Sequence, residues 1–167
     1  MKHTTRTVFF LLVLLLLAAL PSCHKKEEYS DTLSAEELAN KITSALGDGE
    51  DYLTDDTGLT DSYFSLPSSV TEHTVRYTAD TNNIDEFGVY HVTRGGTKEL
   101  EAMLVEKYLE MAYLNNREWY DSYIPEETEK LRDAEVRTFG NYVVYAILDQ
   151  SERNTVFKTV ERALEEA

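Results

Sequence analysis

Ala134 to Leu148, AEVRTFGNYVVYAIL, is rich in β-branched and aromatic residues and is broken once, at Gly140-Asn141. The pattern predicts a β-hairpin closed by a two-residue loop. Glycine at the first loop position suits a type II′ turn, because it reaches positive φ without a Cβ clash. That register pairs Thr138 with Val143, Val136 with Tyr145 and Ala134 with Ile147 on one face. The other face carries Phe139 with Tyr142, Arg137 with Val144 and Glu135 with Ala146. The first face is almost wholly apolar and is the expected core. The second strand is apolar on both sides, as a strand interior to a sheet is. If no helix covers the second face, Phe139, Tyr142 and Val144, rimmed by Glu135 and Arg137, are the candidate partner surface.

Outward from the hairpin, Ser151 is expected to cap a terminal helix that turns Val156, Phe157, Val160 and Leu164 inward. On the other side, Tyr123-Ile124-Pro125 ends a long helix expected from Lys98 to Tyr120 with Thr97 as its cap, and Pro125 starts a short new turn. Leu100, Met103, Leu104, Tyr108, Met111, Ala112 and Trp119 recur along that helix at helical spacing, and Val105, Leu109 and Leu114 widen its apolar face. Val70 to Ala79 and Phe87 to Thr93 read as a second hairpin around Asn82-Asn83, which sets Val75 opposite Tyr90 and His73 beside Val92. Ser34-Ala35-Glu36-Glu37 is a capping box opening the first helix, with Leu33 and Leu38 at staple positions and Gly47 at its end. The order α-ββ-α-ββ-α predicts an α+β fold. Two hairpins form one antiparallel sheet with helices mainly on one face. A sheet covered on both faces is the alternative.

The N-terminus reads as an address. Met1, Lys2, His3 and Arg6 precede Val8 to Leu20, which is apolar throughout. That run is short of the ~20 residues a spanning helix needs and fits the apolar region of a secretion signal. Leu20-Pro21-Ser22-Cys23 follows and resembles the bacterial lipobox, whose cysteine is acylated before cleavage. Leu20, Ser22 and Cys23 match; Pro21 is not among the commonest residues at its place. An ordinary signal with an incidental cysteine is the alternative, but the chain's one cysteine sits directly at the end of the apolar run. The expected divisions are a lipoprotein signal peptide over 1–22, lipidated Cys23 and a tether over 23–31, and a single α+β domain over 32–167. A diacylglyceryl group on Cys23 supplies two acyl chains, which is what stable membrane anchoring takes.

The 167 residues carry a formal net charge of −15. Removing Lys2 and Arg6 with the signal leaves 14 basic residues against 31 acidic, or −17. Nucleic acid and anionic lipid headgroups are poor partners for such a chain, since both need Lys and Arg to displace counterions. A single cysteine allows no intrachain disulfide and no cysteine-based metal cluster. The loop from Asp48 to Leu66 holds Asp48, Glu50, Asp51, Asp55, Asp56 and Asp61, yet their spacing does not fit an EF-hand loop. There is no Gly-x-Ser-x-Gly elbow and no glycine-rich phosphate cradle. His24, His73 and His91 are the histidines beyond the signal and suggest no metal site. No pair of acids is set apart by the apolar surroundings that raise a carboxyl pKa, and Glu126-Glu127 reads as helix-start charge. No catalytic residue, metal or cofactor is assigned.

Four segments carry a resemblance: Ser34 to Ala39 (SAEELA), Ile84 to Val89 (IDEFGV), Tyr123 to Glu127 (YIPEE) and Gly140 to Tyr145 (GNYVVY). Through them the chain resembles a bacterial family known as domain of unknown function 4358, over most of Leu33 to Leu164. Members of that family look like lipoproteins of about this size, mostly from Firmicutes and especially clostridia. The resemblance implies a lipid-anchored protein on the extracytoplasmic side of the cell membrane and brings no activity, substrate or catalytic residue with it. The expected function is a membrane-tethered interaction or scaffold module. It would meet the membrane through Cys23 and an envelope protein as partner, with no role for nucleic acid. A cell-envelope hydrolase and a small-ligand or cation-binding protein are the alternatives.

Overall fold

Gly140 closes the central hairpin at φ 60°, while no non-glycine residue described takes a positive φ, the signature of a type II′ loop. The structure, a computed structural model, describes residues 29–47, 52–54 and 65–167. In chain order it contains helix α1 (Ala35–Leu46) and strands β1 (Tyr52–Thr54), β2 (Val70–Thr78) and β3 (Glu86–Val92). Helix α2 (Thr97–Met103) runs on as a π-helical stretch (Leu104–Tyr113) and a 3₁₀ turn (Leu114–Asn116) into α3 (Arg117–Tyr123). A 3₁₀ turn (Pro125–Glu127) leads to α4 (Thr128–Arg132), strands β4 (Glu135–Phe139) and β5 (Tyr142–Ile147), and the terminal helix α5 (Gln150–Glu166).

The strands form one antiparallel sheet in the order β1-β2-β3-β5-β4, so the fold is α+β. The β4–β5 register is the expected one, from Phe139 opposite Tyr142 to Glu135 opposite Ala146. β5 lies between β3 and β4, which is why both its faces are apolar. A fifth strand, β1, pairs with the outer edge of β2.

Helices cover both faces of this sheet, not mainly one. Phe87, Val89, Tyr142, Val144 and Ala146 pack against Leu38 and Ile42 of α1 and against Val156, Phe157 and Val160 of α5. On the opposite face Val75, Tyr90, Val143, Tyr145 and Ile147 lie under Leu100, Leu104 and Tyr108, with Leu131 of α4 completing the layer. The expected partner surface is therefore overturned. Tyr142 and Val144 are fully buried and Phe139 is 7% exposed, because α1 and α5 pack together across that face.

The second hairpin is displaced by two residues from its expected register: His73 faces Tyr90 and Val75 faces Gly88. Two features set it. The turn is longer than Asn82-Asn83, because Asp80 accepts the Asn82 N–H at 2.9 Å, Asn83 accepts the Asp85 N–H at 2.7 Å, and Thr78 closes the loop onto the Asp85 carbonyl at 2.9 Å. The Tyr145 ring also lies over Gly88, and a Cβ there would come 2.2 Å from Cε1. At the other end, β2 carries an irregularity between Val70 and Glu72.

The expected long helix runs without a gap from Thr97 to Tyr123 but changes pitch along its length. Leu100, Leu104, Tyr108 and Leu109 are buried as its apolar stripe requires, but Val105 and Leu114 are exposed and Trp119 is 54% exposed. The π-helical stretch and the following 3₁₀ turn change the number of residues per turn, so the face that starts inward has rotated out by Trp119. Two expected caps also move. α2 is capped by Gly96 rather than Thr97, and α5 by Asp149, whose capping box with Glu152 starts the helix before Ser151. Of the expected tether over 23–31, the described residues from Tyr29 onward are packed on the body, and residues 23–28 lie outside the described residues. Cys23, residues 1–22 and the six acids from Asp48 to Asp61 lie outside the described residues. Among the described residues no helix is long and apolar enough to cross a membrane.

Candidate functional site

At the β2–β3 turn the sheet ends in a buried polar frame. Asp85 and Glu86 stand at the start of β3, 8% and 3% exposed. Glu86 accepts the hydroxyls of Tyr108 and Tyr145. Lys130 of α4 reaches Asp85 at 2.7 Å and Glu127 at 2.8 Å. Glu127 also accepts the Ile84 N–H at 3.2 Å, and Asn83 donates to Asp85 at 2.9 Å. Burial pulls the Lys130 pKa down, but its bonds to Asp85 and Glu127 outweigh that and leave it raised, so Lys130 stays an ammonium. Glu152, in the first turn of α5, has its pKa raised by burial first and then by the charge of Asp85. Ile84 to Val89, Tyr123 to Glu127 and Gly140 to Tyr145 thus meet through Glu86, Glu127, Lys130 and Tyr145. A cavity of about 310 Å³ beside this frame is lined by Tyr52, Thr78, Asp80, Asn83, Asp85 and Glu152. Asp85, Glu86 and Glu127 are each held by donors of the chain itself, so the frame is rigid.

An exposed aromatic cluster stands next to the frame. Trp119 and Tyr123, four residues apart on α3, stack with centroids 4.9 Å apart, and Tyr120 meets Trp119 edge-on at 5.2 Å. Tyr123 is 69% exposed. Tyr120 also lines a second cavity of about 220 Å³, with Tyr77, Ile84 and Glu86. Around the cluster Glu118, Asp121 and Glu126 are exposed, against Arg117, which is paired to Asp121 at 3.5 Å. The sequence reading missed this surface by turning Trp119 inward. The available signal was Asn115-Asn116, two poor helix formers in mid-run.

The opposite end of the sheet holds a third group. Tyr29 meets Phe139 edge-on at 5.7 Å, and the Ser30 N–H donates to the Leu164 carbonyl at 2.8 Å. Asp31 lies 2.6 Å from His91 Nε2 and accepts from Asn141 at 2.9 Å. The Tyr142 hydroxyl donates to the Leu33 carbonyl at 2.6 Å. Thr71 Oγ1 is 2.9 Å from His91 Nδ1, which completes a hydroxyl–imidazole–carboxylate row. The row has the connectivity of a catalytic triad. The same Thr71 hydroxyl also lies 3.0 Å from the His91 carbonyl, so its single hydrogen is shared between the ring and the backbone. The bond to His91 is the largest influence on Asp31 and holds its carboxyl below the usual carboxylate range. His73 is elsewhere, stacked on Tyr90 at 5.4 Å. Among the described residues no group of three or more His, Cys, Asp or Glu is arranged to hold a metal ion.

These elements define a small α+β protein with a helix-covered antiparallel sheet, polar and aromatic at one end and strapped by Tyr29 to Leu33 at the other. Residues 45–148, more than half of the chain, match the family model described as Domain of unknown function (DUF4358), and the protein belongs to that family. The match takes in all five strands and leaves most of α1, the strap and α5 outside it. No curated protein and no solved structure matches the chain.

Proposed function

We propose that the chain is a lipid-anchored interaction module of the bacterial cell envelope, tethered through Cys23 on the extracytoplasmic side and binding a protein partner through α3. The observation that carries the reading is the stacked, exposed Trp119–Tyr123 pair on a rigid polar frame. Exposed aromatics on a fixed support are characteristic of binding surfaces, since they contribute large contact area at low ordering cost. The position of the pair supports the same reading. β3 opposes Glu86 to Ile147 at one end and His91 to Tyr142 at the other, so the α3 end and the Tyr29 end are separated by the length of the strand, roughly 20 Å. An anchor at Cys23 holds the Tyr29 end toward the bilayer and turns α3 outward. The acids around the cluster favour a partner with a basic rim.

A photo-reactive amino acid in place of Tyr123, activated in living cells, tests the partner. The expected result is one dominant envelope protein whose crosslink is lost when Trp119 is replaced by Ala. Only self-crosslinks, or a partner indifferent to Trp119→Ala, would overturn the binding role of α3. Labelling with palmitate tests the anchor separately: the label is expected in the native chain and absent from Cys23→Ser.

A further inference from the structure

We propose that Trp119 and Tyr123 form a docking platform for an arginine side chain of the protein partner, gripped by the carboxylates beside it. The inference rests on the binding role of α3 and names the side chain that this surface selects. Trp119 and Tyr123 stand one helical turn apart and stack at 4.9 Å with 29° between their planes. Tyr123 gives one face to Trp119 and, at 69% exposed, leaves the other open. The support beneath is fixed. Ile124 is buried, its N–H donates to the Tyr120 carbonyl at 2.8 Å, and Tyr120 packs against the layer of Leu100, Leu104 and Tyr108. An aromatic face held in this way attracts a cation through the quadrupole of the ring.

The charge around the platform points the same way. Between Lys107 and Lys130 the chain carries Glu110, Glu118, Asp121, Glu126, Glu127 and Glu129 against Arg117 alone. Arg117 is already paired to Asp121 at 3.5 Å, Glu127 to Lys130 at 2.8 Å and Glu129 to Arg132 at 3.7 Å. Glu118, next to Trp119, and Glu126, three residues past Tyr123, are exposed and join no ion pair among the described residues. Lysine and arginine would both answer those carboxylates, but the rings tell them apart. A guanidinium is planar and weakly hydrated, and it can lie flat on a ring while its edge N–H groups reach a carboxylate. An ammonium is a compact, strongly hydrated point charge. The platform therefore prefers arginine, whereas the acids alone do not.

Trp119 is the chain's single tryptophan, so its emission reports the site directly. The titration uses the full chain at about 0.15 M salt, where screening limits the reach of the net charge to about 8 Å. An acetylated, amidated tri-arginine peptide is expected to change that emission and to bind about fivefold more tightly than its tri-lysine counterpart. Tyr123→Leu is expected to bring the two affinities together. Glu118→Gln with Glu126→Gln is expected to weaken both peptides and to keep the preference for arginine. Far-ultraviolet circular dichroism confirms that each variant is folded. Equal affinities in the native chain, or a preference for arginine that survives Tyr123→Leu, would overturn the proposal. The crosslink from position 123 separates this failure from that of the parent reading. A Trp119-dependent partner alongside equal affinities removes the arginine platform and leaves the binding role of α3, whereas loss of that crosslink removes both.

Discussion

Gly88 carries no Cβ because the Tyr145 ring occupies its place, with Cε1 2.2 Å from where that atom would lie. Tyr145 cannot give way easily, being fully buried with its hydroxyl bound to Glu86. We predict that Gly88→Ala lowers unfolding free energy by about 3 kcal/mol, the overpacking cost of a tight core. Urea unfolding measures it, and a midpoint unchanged from the native chain would refute the packing described. Lys130 makes the complementary case of a charge that cannot be removed alone. Lys130→Met leaves Asp85 and Glu127 facing each other in a buried site, at a predicted cost of about 3–5 kcal/mol. The same substitution in an Asp85→Asn, Glu127→Gln background should cost much less, since the carboxylates it would strand are already neutral. An equal cost in both backgrounds would mean that Lys130 acts through its aliphatic stem and not through its charge.

At the scale of elements, α5 separates capping from mere proximity to a helix start. Its capping box joins Asp149 to Glu152, with the Asp149 N–H on the Glu152 carboxylate at 3.3 Å. Asp149→Ala is predicted to lower stability by about 1 kcal/mol and Ser151→Ala by less than about 0.5 kcal/mol. Thermal unfolding of the two variants decides between them, and a larger loss from Ser151→Ala would return the cap to Ser151. The central hairpin was legible because everything that fixes it is local: a glycine with positive φ, a two-residue loop, and alternation that makes any one-residue slip expose the core. The second hairpin was not, because side chains of its own turn lengthen the loop and a ring from β5 selects which residue stands opposite Val75. The helical run through Trp119 failed for a third reason. Periodicity assumes one pitch, and the stretch from Leu104 to Asn116 changes pitch twice. The candidate surfaces follow the same rule. Phe139, Tyr142 and Val144 had a readable face but an unreadable cover, since what lies over a sheet depends on helices far away in sequence.

For the whole molecule the governing quantity is a net charge of −15, which makes like-charge repulsion a standing cost of the compact state. Glu152 is where that cost enters a specific site. Burial, Asp85 and Asp149 all raise its pKa, so between the ordinary carboxylate range and the raised value the folded chain binds a proton that the unfolded chain does not. Stability linked to Glu152 is therefore highest below the ordinary range and falls as pH rises through that window. Asp31 works in the other direction. Its pKa is lowered, so its contribution is present above the ordinary range and is lost as pH falls through the folded value. Glu152→Gln keeps an oxygen that can accept the Asp149 N–H and removes the charge beside Asp85. It is predicted to raise the melting temperature near neutral pH, where Glu152 is otherwise forced to ionise, and to leave it nearly unchanged in acid. Raising salt from about 0.05 M to about 0.5 M shortens the screening length from over 10 Å to a few Å and should raise the native melting temperature. Because Glu152 is one contributor among many acids, salt should still stabilise Glu152→Gln, but by a smaller increment. Calorimetry at two pH values and two salt concentrations measures both effects. If Glu152→Gln gave no gain near neutral pH while salt still stabilised the chain, the repulsion would lie on the open surface and not at the Asp85–Glu152 site.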